Sequence, residues 1–295
     1  MMENIETNPY CSFKAIRDIQ NRFGFKFTKS LGQNFIIDSE IPRRIALEAG
    51  VDKNTGVIEI GPGIGSLTYE LCTNALKVVA IELDKTLLPV LSYTLGKFDN
   101  IKILHGDAMK IDLQNIINNE FISYGITDIK FCANLPYYIT TPIIMHLLES
   151  KLPITSITVM VQKEVAQRLC SNPGGKDCGA ITFAVAYFAK AGYLFEVPAS
   201  SFMPAPKVDS SVVRLSLLNE PPVRPYSAEK MFLIIKSAFL QRRKTLLNAL
   251  SNSLGMPREN IVSAIEHLGL PPDIRGERLT LHDYANLSDV LYKNS

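Results

Sequence analysis

Val57-Ile58-Glu59-Ile60-Gly61-Pro62-Gly63-Ile64-Gly65-Ser66-Leu67-Thr68 runs from a strand-length apolar stretch through alternate glycines into a helical pattern. A buried strand, a glycine turn and a helix in that order form the opening unit of an α/β ligand-binding sheet. Glycine suits a turn whose backbone must approach a ligand closely or take positive φ. The spacing is G-x-G-x-G, not the G-x-G-x-x-G of dinucleotide sites, and Pro62 removes an amide that would hold a phosphate. The stretch points to a nucleoside ligand without a pyrophosphate, and away from NAD. Taken alone, it also reads as a purely structural strand-to-helix turn.

Downstream, strand-length apolar runs recur at residues 78–81, 101–104, 129–132, 154–161, 193–197 and 212–218, making seven with 57–60. Amphipathic stretches at 66–71, 86–95 and 142–148 lie between the early ones. Strand-helix alternation predicts a parallel sheet covered on both faces. Only the loop-rich segment 198–211 separates the last two runs, so they are expected to pair antiparallel at the sheet edge. Pro221, Pro222 and Pro225 then break regular structure. The domain boundary is placed there, with an α/β domain over residues 1–219 and a helical domain over 220–295. Three helices are expected in the latter, at 228–250, 258–267 and 281–291.

The second strand ends in Ala80-Ile81-Glu82-Leu83-Asp84, with Glu82 21 residues beyond Gly61. An acid at that distance, on the tip of the neighbouring strand, can accept both hydroxyls of a ribose. The third strand ends in His105-Gly106-Asp107-Ala108, where Asp107 can read an adenine amino group. Each acid alone is an ordinary strand end or helix cap, but three consecutive strands ending this way describe one ligand at the carboxyl edge of the sheet.

After the fourth strand comes Cys132-Ala133-Asn134-Leu135-Pro136-Tyr137-Tyr138. The exocyclic amine of adenine is a poor nucleophile because its lone pair is delocalised into the ring. Two acceptors beside it favour the pyramidal form that attacks, and the Asn134 side-chain oxygen and the Leu135 carbonyl can supply them. Pro136 stiffens the loop, and Tyr137 can stack on the base for about 1–3 kcal/mol.

The whole composition bounds these readings. With 295 residues, 46% apolar and 20% charged, the chain is an ordinary globular protein of about two domains. A net charge of +2 neither demands nor excludes a nucleic-acid partner. The longest uncharged apolar run, residues 152–161, contains Pro153 and is too short to span a membrane. The N-terminal stretch has no apolar core, so a cytoplasmic location is expected. Five cysteines without a Cys-x-x-Cys pair read as free thiols, and four histidines show no ligand spacing, so no metal is expected.

In combination, the segments resemble the S-adenosylmethionine-dependent adenine-N6 dimethyltransferases of ribosomal RNA, closest to the bacterial small-subunit members. The resemblance runs from Lys29-Ser30-Leu31-Gly32-Gln33-Asn34-Phe35-Ile36, through the motifs above, to Phe202-Met203-Pro204-Ala205-Pro206-Lys207-Val208-Asp209-Ser210-Ser211-Val212 and the helical C-terminus. It implies a Rossmann-like seven-stranded methyltransferase sheet with a small all-helical C-terminal domain. It also implies that Asn34 and the backbone at Ile36 contact the methionine side of S-adenosylmethionine, with Gly61 and Gly63 as the floor and Gln33 also binding the cofactor. Glu82 would hold the ribose, Asp107 the cofactor adenine, and Asn134 would sit between cofactor and target amine. Phe202 would sandwich the target adenine with Tyr137. The implied reaction places two methyl groups on each of two adjacent adenines near the 3′ end of 16S rRNA, in the small subunit or its precursor.

Arg242-Arg243-Lys244 interrupts a helical stripe of Phe232, Ile235, Phe239, Leu246 and Leu250. By itself the triplet is either a solvated face with one snorkelling arginine or a phosphate-binding patch; the resemblance favours RNA. Lys14, Arg17, Arg22, Lys26 and Lys29, diluted by Asp18, form a second basic stretch. Two other functions stay open: a 23S rRNA adenine methyltransferase, and an assembly factor that binds the immature small subunit with catalysis secondary. Nothing in the sequence predicts a stable dimer, and a monomer is expected.

Overall fold

The computed structural model describes residues 8–27 and 32–293. Lys29, Ser30 and Leu31 of the entry motif lie outside them. The chain divides into two compact units, the first holding residues up to Ala166 with Gly192–Leu217, the second Gln167–Ala191 with residues from Leu218 onward. The chain crosses between them three times, and the third crossing, at Leu217–Leu218, falls beside the proline-rich break. Residues 167–191, which the linear reading left in the α/β domain, group instead with the C-terminal helices.

In the first unit, the described strands are β1 (Phe35–Ile36), β2 (Thr55–Ile60), β3 (Lys77–Glu82), β4 (Ile101–His105), β5 (Asp128–Asn134), β6 (Ser156–Gln162), β7 (Ala189–Val197), β8 (Phe202–Met203) and β9 (Ser210–Leu217). Seven form one sheet in the order β4-β3-β2-β5-β6-β9-β7. Neighbours from β4 to β6 run parallel, and β9 runs antiparallel to β6. All seven expected strands form. Because β9 inserts between β6 and β7, the strand met earlier in the chain takes the edge.

The order reverses between β2 and β5, the switch point where open α/β sheets bind ligands beyond the strand ends. α1 (Phe13–Phe23), α2 (Glu40–Glu48), α3 (Ser66–Asn74), α4 (Leu88–Thr94), α5 (Leu113–Glu120) and α6 (Thr140–Glu149) accompany the sheet, and α7 (Lys163–Cys170) carries the chain from the first unit into the second. Val57, Val78 and Cys132 pack with Ile45 of α2 and Leu67 and Leu71 of α3. Every residue of β2 is buried, as a strand covered on both faces requires. A second cluster joins Ile16 and Ile19 of α1 to Phe35, Ile64, Leu87 and Met203 beneath the glycine loop.

β1 and β8 form a separate two-stranded pair, Phe35 opposite Met203 and Ile36 opposite Phe202. Two residues carry no periodicity, so neither strand was legible in the sequence.

The second unit is helical: α8 (Ala180–Phe188), α9 (Ala228–Leu240), α10 (Leu246–Ser253), α11 (Arg258–His267) and α12 (Leu281–Tyr292). The single helix expected over 228–250 is two. Gln241 leaves helical geometry at φ −128°, ψ 56°, and the extended Thr245 caps α10 by accepting from the Asn248 amide at 3.4 Å. Phe183 of α8 sits at the centre of this unit, its ring 4.9 Å from Tyr284 and 5.6 Å from Phe239. No helix among the described residues is long and apolar enough to cross a membrane. All five cysteines are free thiols.

Candidate active site

Gly61, Gly63 and Gly65 all occupy the left-handed region, at φ 70°, 63° and 91°. Side-chain-bearing residues rarely adopt that conformation, which accounts for glycine at three alternate positions. The turn lets the chain leave β2 and enter α3, for which Gly65 is the N-cap. A Cβ at Gly63 would also lie 2.9 Å from the Phe35 ring, so the entry segment closes directly on the loop.

Glu82, at the tip of β3, is only 6% exposed. Its Oε2 accepts from the Gly63 amide at 3.1 Å and its Oε1 from the Asp84 amide at 2.8 Å. One carboxylate thereby ties together the loops that follow β2 and β3. Burial pushes its pKa up, against the lowering effect of those amides. Asp84 in turn accepts from Gln33 Nε2 at 2.8 Å, which fixes the entry segment to the same edge. Asp107, after β4, accepts from the Met109 amide at 3.0 Å and has Lys110 Nζ at 3.5 Å.

Asn134 ends β5, where its Nδ2 donates to the Asn34 carbonyl at 3.3 Å; Asn34 Nδ2 donates to the Gly32 carbonyl at 3.1 Å. With its Nδ2 so engaged, Asn134 presents its amide oxygen as the end available to another group. The next residue is anchored by the Leu135 amide donating to Met160 of β6 at 3.2 Å. The Tyr137 hydroxyl lies 2.7 Å from Ser210 Oγ of β9, and burial pushes its phenol pKa up.

These elements line one partly open cleft at the ends of the parallel strands. Gln33, Asn34, Ile36, Gly61, Gly63, Glu82 and Asp107 line it, with Asn134, Leu135, Pro136 and Tyr137. Phe202 does not. Its backbone pairs with Ile36, the residue is 3% exposed, and it packs in the core with Val197 and Val212. The structure therefore places Tyr137, and not Phe202, among the residues that line the cleft.

The basic triplet occupies the turn between α9 and α10, not a helix face as its place in the stripe implied. Arg242 Nη2 donates to the Cys178 carbonyl at 3.2 Å and lies 4.0 Å from Glu277. Arg243 and Lys244 are exposed.

A family model described as ribosomal RNA adenine dimethylase matches residues 24–292. The chain belongs to the ribosomal RNA adenine dimethylase family. Among curated relatives, "Ribosomal RNA small subunit methyltransferase A" of Geobacillus thermodenitrificans is 49% identical over 278 residues, covering 93% of this chain and 94% of the relative. The protein of the same name from Lachnoclostridium phytofermentans is 48% identical, covering 94% and 96%. Among solved structures, a dimethyladenosine transferase from Plasmodium falciparum aligns with TM-score 0.68 and 26% identity over 86% of this chain and 95% of that one. The 23S rRNA methyltransferase ErmE aligns with TM-score 0.63 and 25% identity over 88% and 99%. The fold is thus the Rossmann-like methyltransferase sheet of rRNA-modifying enzymes, and membership of the dimethylase family implies a methyl donor.

Glu59 is a cleft residue to which sequence reasoning gave no role; the available signal was one acid inside an otherwise apolar strand. It is 1% exposed, and its Oε2 has no hydrogen-bond partner among the described residues. Desolvation raises its pKa to about 8, and the nearby Glu82 adds to the rise. The folded protein then keeps a proton that the unfolded chain releases above the ordinary carboxylate range. Stability of the ligand-free protein falls as pH rises through that window toward about 8. Glu59→Gln is accordingly expected to raise the melting temperature more at about pH 8 than at about pH 5. Equal shifts at the two pH values would place the proton elsewhere.

Proposed function

We propose that the chain uses S-adenosylmethionine to dimethylate the N6 amines of two adjacent adenines near the 3′ end of 16S rRNA, during small-subunit biogenesis in the cytoplasm. The observation that carries this reading is the placement of Asn134-Leu135-Pro136-Tyr137 across the same cleft as Gly61, Glu82 and Asp107. The names of the close relatives support the small subunit as the source of the RNA.

The donor set suits the cofactor. Glu82 offers a carboxylate for ribose hydroxyls, and Asp107 an acceptor for an adenine amino group. Glu59 Oε2 lacks a hydrogen-bond partner among the described residues, and an ammonium group supplied by a ligand would return the side chain to the carboxylate form. Bound S-adenosylmethionine supplies a methyl on a sulfonium, a good leaving group. The chain's own task is then positioning and polarisation rather than strong base catalysis. Asn134 and the Leu135 carbonyl accept from the target amine, Pro136 holds the arm rigid, and Tyr137 stacks on the base. The base reaches the pocket only when splayed out of the RNA.

The helical unit contributes RNA contacts through the α9–α10 turn. Arg243 and Lys244 meet phosphate, while Arg242 braces the turn through Cys178 and Glu277. Replacing Arg243 and Lys244 together by alanine is expected to weaken binding to small subunits and to flatten the log–log salt dependence by about one unit per lost contact. An unchanged slope would remove the turn from the RNA interface.

The deciding experiment is transfer of radiolabelled methyl from S-adenosylmethionine to 30S particles lacking the modification, followed by nucleoside analysis with 23S rRNA as control. N6,N6-dimethyladenosine in 16S rRNA is the expected product. Label on 23S rRNA would support the activity named for ErmE. Binding to 30S without transfer would support the assembly-factor reading.

A further inference from the structure

Three aromatic side chains line the cleft, and they are held differently. Phe35 is 6% exposed, and its ring packs against the Phe25 and Phe27 rings. Tyr137 is half-buried, with its hydroxyl against Ser210. Tyr138 is 55% exposed although it lines the same cleft. An aromatic ring kept in water at the mouth of a cleft is a large apolar face available to a ligand.

The ring is also placed by its surroundings. Gly32 sits in the left-handed region at φ 59°, and a Cβ there would lie 3.5 Å from Tyr138 Cδ1 and 3.6 Å from Pro136 Cβ. Tyr138 therefore rests beside the backbone that accepts from Asn34, which in turn receives the Asn134 amide. Ring and amine-polarising arm belong to one connected rim. With Phe202 buried in the core, Tyr138 is the exposed ring available there.

We propose that Tyr138 is a substrate-positioning residue that stacks on the purine next to the adenine being methylated. This rests on the reading of two adjacent target adenines. While one base occupies the pocket beside Tyr137, its neighbour is also unstacked and needs a surface. A π-face one residue along the same rigid loop supplies it and keeps the second adenine beside the cleft for its own turn.

The test uses full-length protein with S-adenosylmethionine and unmodified 30S particles, comparing the parent with Tyr138→Ala, Tyr138→Leu and Tyr138→Phe. Cofactor affinity, 30S affinity, KM and kcat, and methyl groups per adenine are read for each. Loss of a stacked base predicts roughly tenfold weaker 30S affinity and higher KM for Tyr138→Ala. Product shifts toward particles with only one adenine modified, with cofactor affinity preserved. Tyr138→Leu, which keeps bulk without a π-face, is expected to match alanine, and Tyr138→Phe to recover most of the loss. Parental 30S affinity and methyl distribution in Tyr138→Ala, or recovery by leucine equal to that by phenylalanine, would overturn the assignment. A parent protein that leaves 16S rRNA unmodified would instead defeat the broader functional reading.

Discussion

Asn134→Ala is expected to reduce methyl transfer to unmodified small subunits by about a hundredfold to a thousandfold, the scale of removing one preorganised polar group from a reacting centre. The argument starts from the substrate. The adenine amine attacks only when its lone pair leaves conjugation with the ring, and an acceptor at the amine hydrogens favours that geometry. Asn134 stands at the end of β5 with its Nδ2 engaged by the Asn34 carbonyl at 3.3 Å, so its oxygen is the group to be lost. The folded state should survive, because Asn134 is only partly buried and β5 retains its ladders to β2 and β6. The defect is expected in kcat in single-turnover assays, with 30S affinity close to the parent's. Parental turnover by the variant would remove Asn134 from the chemistry.

Glu82→Ala should produce the largest loss of cofactor affinity. Lost charge-assisted bonds to a ribose are worth about 1.5–3 kcal/mol, or roughly a tenfold to hundredfold weaker Kd. The structure adds a second cost. The buried carboxylate also accepts from the Gly63 and Asp84 amides, so truncation leaves both donors unpaired at the cleft floor. Each unpaired buried donor costs about 1–3 kcal/mol, so the melting temperature should fall as well. Titration calorimetry with S-adenosylmethionine separates the two effects when Glu82→Gln is run beside the alanine variant. The amide keeps one acceptor for the backbone and loses the charge. Unchanged affinity in both variants would take Glu82 out of the site.

Much of this cleft was legible because its residues sit at the ends of consecutive parallel strands. Gly61, Glu82, Asp107 and Asn134 each follow an apolar run with a readable boundary, and a parallel sheet brings such ends to one edge. What escaped the sequence was set by packing between distant segments. The β1–β8 pair joins residues more than 160 positions apart and is too short to show alternation. Phe202 was assigned by motif to the pocket, but it is buried in the core cluster with Val197 and Val212. α8 is apolar on all sides because it is enclosed by other helices, so it shows no amphipathic stripe. The division of 228–250 into two helices depended on Thr245 acting as a cap, a signal outweighed by a stripe that continued across the break.

The pairing of Ile36 with Phe202 bears on when the enzyme comes into being. A segment lining the cleft has its strand partner in the last third of the chain, and β9 must still enter the sheet between β6 and β7. Between those pieces the chain makes residues 167–191, which belong to the other unit. A growing polypeptide therefore has its glycine loop and its acids long before it has a closed site. About three-quarters of the chain, through Leu217, must be made before the sheet that frames the pocket can close.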